Sequence, residues 1–254
     1  MSLVQIGSPS GRVAVLTLQQ PEKLNALSAA LERDLAAAVA DPAVVESGCV
    51  VVTGAGRAFC AGADVTEFRD RDPAAIAAYY RETGDVYERV AALRQPTISA
   101  IHGYCLGGGL ELALATDFRV ADETATFGFP EVSLGLAAGS GGIYRLVRLV
   151  GPARAKELLL VRPRFGAAEA SSYGLVTEVV PEGKALDRAL ELAGQLVSLP
   201  ALAVETVKQL ADVAPETSRE AAILLERIGY GMLAQTPEAQ RAADAFTARN
   251  AAER

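Results

Sequence analysis

Two glutamates and a run of glycines supply this chain with the residue types of acid–base chemistry. Glu111 follows Gly108 by three residues in the stretch 102–131, HGYCLGGGLELALATDFRVADETATFGFPE, and Glu131 closes it. Gly107, Gly108 and Gly109 open an apolar helical pattern (Leu110, Leu112, Ala113, Leu114, Ala115), and the β-branched run 96–101 before them reads as a strand. A strand, a glycine-rich turn and a helix leave backbone N–H groups unpaired at a positive helix end. Such an end stabilises a phosphate, a carboxylate or an oxyanion that exists only during a reaction. Helical spacing predicts Glu111 on the same face as the Gly108 N–H. A carboxylate in that position points to acid–base chemistry more than to binding alone.

The elements that must position these residues are readable in order. Residues 13–18 form a β-rich run, and Ser28 is a candidate cap for a helix through about residue 39, with Leu31, Leu35 and Val39 on one face. Asp41-Pro42 ends it. Residues 49–53 form a short apolar run of the kind found in buried parallel strands, followed by a second glycine-rich stretch, GAGRAFCAGADVTEF, over 54–68. Residues 74–93 have helical spacing. Short strands are predicted at 118–121, 126–128 and 176–180, and helices at 143–150, on through 160, and at 167–173. A further glycine cluster, Gly135 to Gly142, sits before the first of these helices. From residue 185 onward the pattern is helical, with breaks at Pro200, Pro215 and Pro237. Strands alternating with helices and then helices alone predict an α/β core over 1–195 and a helical C-terminal region over 196–254. Residues 221–233 carry more apolar surface than a solvated helix needs, which predicts packing on the core or on another subunit.

Composition narrows the function. Half of the 254 residues are hydrophobic, 22% are charged and the net charge is −7, which fits a globular enzyme and weighs against sequence-independent nucleic-acid binding. Between Arg145 and Arg164 lie six basic residues and one acidic residue, Glu157. That cluster reads as a solvated or interface helix face in preference to a phosphate or RNA patch. Cys49, Cys60 and Cys105 are odd in number and form no CxxC pair, so reduced buried thiols in a cytoplasmic protein are expected. One histidine, His102, and no cysteine cluster argue against a zinc or iron site. No basic-then-apolar leader and no long uncharged apolar window appear, so neither a secretory signal nor a membrane span is expected.

Three motifs then stand in order: GAGRAFCAGAD, GYCLGGGLEL and FGFPEVSLGLAAGSGG. Together they make the chain resemble the enoyl-CoA hydratase/isomerase (crotonase) family, and the hydratases within it most closely, over essentially its whole length. The resemblance implies a spiral of β-β-α turns with a helical C-terminal extension, assembled as a homotrimer or a dimer of trimers. It implies an oxyanion hole for a CoA thioester carbonyl, built from the backbone N–H groups of Ala63 and Gly108. It places Glu111 and Glu131 at the reacting carbons, Glu111 activating water and Glu131 protonating the α-carbon. Hydratases of the family use both glutamates, whereas many isomerases keep only the second. By family position, Lys23, Leu24, Ala61, Asp64, Val65, Phe129, Gly139 and Arg249 border the acyl-CoA, Arg249 on a neighbouring subunit's ligand. Asp64 on its own reads as a loop or cap residue.

The chemistry needs this set. Adding water to an α,β-unsaturated thioester requires a base for the water, an acid for the α-carbon and donors for the charge that grows on the thioester oxygen. Neighbouring carboxylates titrate as a pair, so one is expected to hold a proton near neutral pH. No metal or redox cofactor is implied, coenzyme A being part of the substrate. Three motifs depart from the family pattern: Gln19-Gln20-Pro21 replaces Asn-Arg-Pro, Phe129 replaces a frequent glutamine, and Ala138 replaces a common proline. These changes bear on the acyl group more than on the reaction class. The other readings are a double-bond isomerase using Glu131 alone, and a non-catalytic thioester-binding or RNA-associated subunit.

Overall fold

The computed structural model describes residues 2–68, 72–82 and 85–252. Its first hairpin, β1 (Val4–Gly7) and β2 (Val13–Leu18), begins a six-stranded sheet. Successive side chains on a strand point to opposite faces, and β2 is buried on both. Ala14, Leu16 and Leu18 join the main core, while Val13 and Val15 join a second cluster behind the sheet. Helix α1 (Ala29–Val39) is capped by Ser28, whose hydroxyl accepts from Leu31 N. It buries Leu31, Leu35 and Val39, the face read from the sequence. Asp41 ends that helix and caps the single turn α2 (Pro42–Val45).

A repeating unit follows. β3 (Cys49–Gly54) lies in the large sheet and β4 (Ala58–Cys60) in a second, four-stranded sheet. Helices α3 (Pro73–Glu82) and α4 (Val86–Ala91) lead to β5 (Thr97–Ile101), back in the large sheet, and β6 (Tyr104–Leu106), in the small one. Helix α5 (Gly108–Leu114) leads to β7 (Phe118–Asp122) and β8 (Thr126–Gly128), again divided between the sheets. Each turn of the chain thus adds one parallel strand to each sheet: β2, β3, β5 and β7 pair in parallel, as do β4, β6 and β8. The glycine-rich turns read between strand and helix each contain a short strand of the second sheet. That layering is what presents Ala63 and Gly108 side by side.

Helices α6 (Gly142–Val150) and α7 (Pro152–Leu160) precede β9 (Phe165–Gly166), α8 (Ala167–Ser172) and β10 (Glu178–Val180), the last strand of the large sheet. The predicted helix over 74–93 is divided into α3 and α4. Helix α9 (Ala185–Val197) covers the back of the large sheet, with Ala185, Ala189 and Ala193 against Val51, Ile98 and Val120. Small residues at four-residue spacing let the helix axis approach the strands closely. Beyond Pro200 come α10 (Ala201–Val213), α11 (Arg219–Ala234) and α12 (Pro237–Ala252). Ion pairs Lys208–Asp117 (2.8 Å) and Arg94–Glu205 (2.7 Å) hold α10 at the edge of the core. Among the described residues no single helix is long and apolar enough to cross a membrane.

Candidate active site

The loop before α1 sets the position of Ala63. Leu24 and Asn25 adopt left-handed backbone conformations (φ 55° and 54°), which turn the chain sharply. Asn25, fully buried, holds that turn: its Nδ2 donates to Ala55 O (2.9 Å), Ala58 O (2.8 Å) and Phe59 O (3.3 Å), and its Oδ1 accepts from Gln20 N (2.9 Å). The chain then runs parallel to 61–64. Ala61 N donates to Leu24 O (3.0 Å), Leu27 N to Gly62 O (2.8 Å), and Asp64 N to Leu27 O (2.9 Å). Because Leu27 bonds the residues on either side of Ala63, the N–H of Ala63 itself points away, toward the start of α5. A β-carbon added to Gly108 would lie 3.5 Å from Ala63 N, so these two amides are neighbours.

Gly107 is required twice over. Its backbone is left-handed (φ 51°), and a β-carbon there would lie 2.6 Å from Glu131 Oε1. The Glu131 carboxyl therefore rests against the turn that presents Gly108. Its second oxygen, Oε2, is buried with no hydrogen-bond partner among the described residues. Burial raises the Glu131 pKa; the residue's own N–H opposes the rise and the charge of Glu111 adds to it. Glu111, 4% exposed, is held more firmly, with Oε1 accepting from Ser140 N (2.8 Å) and Gly142 N (2.9 Å). Burial also raises the Glu111 pKa, against the backbone N–H groups of Gly142, Ser140 and Gly139 and the Arg145 guanidinium, which favour the ionised form. A side chain at Gly142 would collide with Glu111. Helical spacing placed Glu111 correctly on its helix, but the N–H groups that hold it come from the 139–142 loop.

A cavity of about 200 Å³ opens beside Glu131, lined among others by Phe129, Ala138, Ile143 and Leu159. Phe129 is buried, so this wall is apolar. A larger cavity of about 1060 Å³ lies between α10 and the C-terminal end of α5, lined by neither glutamate. Of the two, the smaller one is lined by Glu131. Lys23 pairs with Asp64 (3.3 Å) next to Ala63. The Asp64 carboxyl is held below its ordinary pKa, first by the hydroxyl of Thr66 and then by Lys23. Gly139 is exposed at the loop that grips Glu111. The side chains of Val65 and Arg249 lie outside those described. His102 Nε2 sits 3.1 Å from Gly56 O.

The structure thus groups Ala63, Gly108, Glu111, Glu131 and Phe129, with Leu24, Ala61, Asp64 and Lys23 along one border. Sequence reasoning passed over Asn25, the amides of Ser140 and Gly142, and a buried cluster of Glu32, Tyr79 and Tyr87 beneath Gly108. The asparagine between Leu24 and Ala26, and a glutamate within the buried face of α1, were the available signals. The basic stretch is a salt-bridged face: Arg145 pairs with Glu88 (2.7 Å), Arg148 with Glu216, Arg154 with Glu157 (2.5 Å) and Arg162 with Glu169 (2.6 Å). The three cysteines are buried and unbridged, and burial pushes the Cys49 and Cys60 thiols up to about 12.

Residues 9–253 match the family model for enoyl-CoA hydratase/isomerase. The chain is 39% identical to a probable enoyl-CoA hydratase of Rhizobium meliloti, over 96% of this chain and 94% of that protein. It is 38% identical to the 2,3-dehydroadipyl-CoA hydratase of Escherichia coli, over 95% and 94% respectively. A crystal structure of an enoyl-CoA hydratase from Bacillus anthracis superposes with a TM-score of 0.90 at 33% identity, covering 97% of this chain and 96% of that one. The two layered sheets with their helices are the crotonase fold, and the chain belongs to the enoyl-CoA hydratase/isomerase family.

Proposed function

We propose that the protein hydrates a 2-enoyl-CoA thioester to the 3-hydroxyacyl-CoA. One observation carries this reading: two glutamates, each with its pKa raised by burial, stand at a turn where two backbone amides converge. In the reaction the Ala63 and Gly108 N–H groups hold the thioester oxygen as it becomes negative, a donor of this kind being worth about 2.7–4 kcal/mol of barrier. Glu111, oriented by the Ser140 and Gly142 amides, takes a proton from water as its oxygen bonds the β-carbon. Glu131 delivers a proton to the α-carbon. Electrons move from water through the conjugated double bond onto the carbonyl oxygen and back to the new C–H bond, so no metal or redox cofactor is invoked. Lys23 and Arg249 are proposed for the CoA phosphates.

The same reading makes residues 1–195 the catalytic core and 196–254 the region of assembly, as a homotrimer or dimer of trimers. It assigns the protein to the cytoplasm, with no nucleic-acid or membrane partner. The test is loss of the conjugated enoyl-thioester absorbance of crotonyl-CoA, run beside 2,3-dehydroadipyl-CoA, the substrate for which the E. coli relative is named. Glu111→Gln and Glu131→Gln are each expected to lower kcat by about 10²–10⁴-fold. Migration of a 3-enoyl double bond without water addition, surviving Glu111→Gln, would replace hydration with isomerisation. Binding without turnover of either kind would make the chain a thioester-binding subunit.

A further inference from the structure

Beneath the Gly108 amide lies a buried polar cluster that the hydration mechanism does not use. Glu32, on α1, is 2% exposed and lies within the apolar face of that helix. Its Oε2 accepts from the Tyr79 hydroxyl (2.5 Å) and its Oε1 from the Tyr87 hydroxyl (3.0 Å). Tyr79 belongs to α3 and Tyr87 to α4, and both are buried. One carboxyl therefore ties two successive helices to a third. A buried carboxyl is costly unless hydrogen-bonded, and a leucine at position 32 would fit the α1 pattern without that cost. A polar group at such a place calls for a use.

The geometry locates that use. A β-carbon built on Gly108 would lie 3.1 Å from Leu27 Cδ1, 3.3 Å from Tyr87 Oη and 3.5 Å from Ala63 N. Leu27, Tyr87 and the Ala63 amide thus converge on one face of Gly108, and Leu27 is the residue whose backbone holds Ala63 in place. Tyr87 donates its proton to Glu32, so its oxygen cannot swing without breaking that bond. The burial of Tyr87 and the nearby charges of Glu32 and Glu111 keep its phenol protonated. We propose that Tyr87, held by Glu32, is a positioning residue of the oxyanion hole: it is the wall that fixes the spacing between the Gly108 and Ala63 amides. Tyr79 uses the same carboxyl to dock α3. The inference rests on the assignment of these two amides as thioester donors.

Tyr87→Phe removes the hydroxyl and keeps the ring. Its expected effect on crotonyl-CoA hydration is a fall in kcat of about tenfold with KM within twofold, since a donor misplaced by a fraction of an ångström is felt in the transition state more than in the ground state. A second readout needs no turnover. Butyryl-CoA has no double bond to hydrate, and carbon-13 at its thioester carbonyl isolates the C=O stretch in isotope-edited infrared difference spectra. Wild type is expected to lower that frequency relative to free ligand, and Tyr87→Phe to return it part of the way. Glu32→Gln is expected to act in the same direction, and it serves alone if Tyr87→Phe does not fold. Tyr79→Phe is expected to lower the melting temperature while leaving kcat and the carbonyl frequency unchanged. Unchanged kcat and carbonyl frequency in folded Tyr87→Phe and Glu32→Gln would reduce the cluster to a core hydrogen bond and overturn the proposal. Failure of the hydratase reading would appear differently, as absent turnover in wild type with the butyryl-CoA frequency still lowered.

Discussion

Glu131 Oε2 is buried without a hydrogen-bond partner among the described residues, so the fold disfavours the ionised form of this side chain. The consequence for stability has a definite sign. Below the ordinary carboxyl pKa of 4.5 both folded and unfolded states are protonated and no penalty exists. As pH rises through that value the unfolded chain releases its proton while the folded one keeps it, and stability falls until the raised folded pKa is passed. Glu131→Gln removes the ionisation. The variant is therefore expected to gain stability over wild type as pH rises from about 4 to 8, as read from urea midpoints at the two ends. A gap that stays constant with pH, or closes as pH rises, would rule this out. A residue whose burial lowers stability at neutral pH is then one that the proposed hydration uses, a common trade at active sites. Both glutamates were legible as residue types in a glycine-rich setting. The reason they differ was not: Glu111 owes its orientation to the 139–142 loop, nearly thirty positions away, and periodicity along one helix carries no information about such a partner.

At the scale of elements, the loop over residues 19–27 does for Ala63 what α5 does for Gly108. Apart from the single 3-10 turn Pro21–Lys23 it is irregular. It is held by Asn25, whose side chain reaches three backbone carbonyls of the 55–59 segment from a left-handed backbone position. Two contributions can be separated by substitution. Asn25→Gly loses the side-chain bonds but accepts the left-handed conformation, whereas Asn25→Ala loses both. Each lost bond that leaves a buried carbonyl unpaired costs about 1–3 kcal/mol, and the left-handed conformation costs an alanine about 1–2 kcal/mol more than a glycine. Both variants are expected to lose stability in urea unfolding, the alanine variant by the larger amount. Both are also expected to lose hydration activity through displacement of the Ala63 amide. Equal stability of the two would show that the backbone conformation relaxes. The strands and helices were largely legible, because β3 reads as an unbroken apolar run and α1 as a capped amphipathic helix. β6 and β9 were not: three and two residues long, they owe their pairing to neighbours distant in sequence rather than to any local pattern.

Over the whole molecule the distribution of apolar surface separates two regions. The core through α9 buries most of its large side chains in two clusters on either face of the six-stranded sheet, with Leu134, Leu136, Leu160 and Val161 among those left exposed. Helix α11 does not: Leu224, Ile228, Tyr230 and Met232 are 56%, 58%, 77% and 48% exposed in the single chain. Only Gly229 is buried, at the crossing with α10, where Leu210 and Thr206 pack against it. Burying a large aliphatic side chain is worth about 1.5–3 kcal/mol, so a helix that leaves several in water is stable in that position only when another surface covers them. Residues 221–233 were read as apolar in excess of a solvated helix. Whether the excess faced inward or outward was invisible, because a 3.6-residue period describes a face and not what lies opposite it. The trimeric assembly proposed above supplies the cover. Sedimentation velocity is expected to find wild type as a trimer or a multiple of it. The double variant Leu224→Glu/Ile228→Glu sets two charges per chain in the contact and is expected to sediment as a smaller species with a lower melting temperature. A monomeric wild type, or a double variant that remains assembled, would move the interface off α11. Other exposed apolar side chains, Leu202 and Val207 on α10 among them, would then be the next place to look for it.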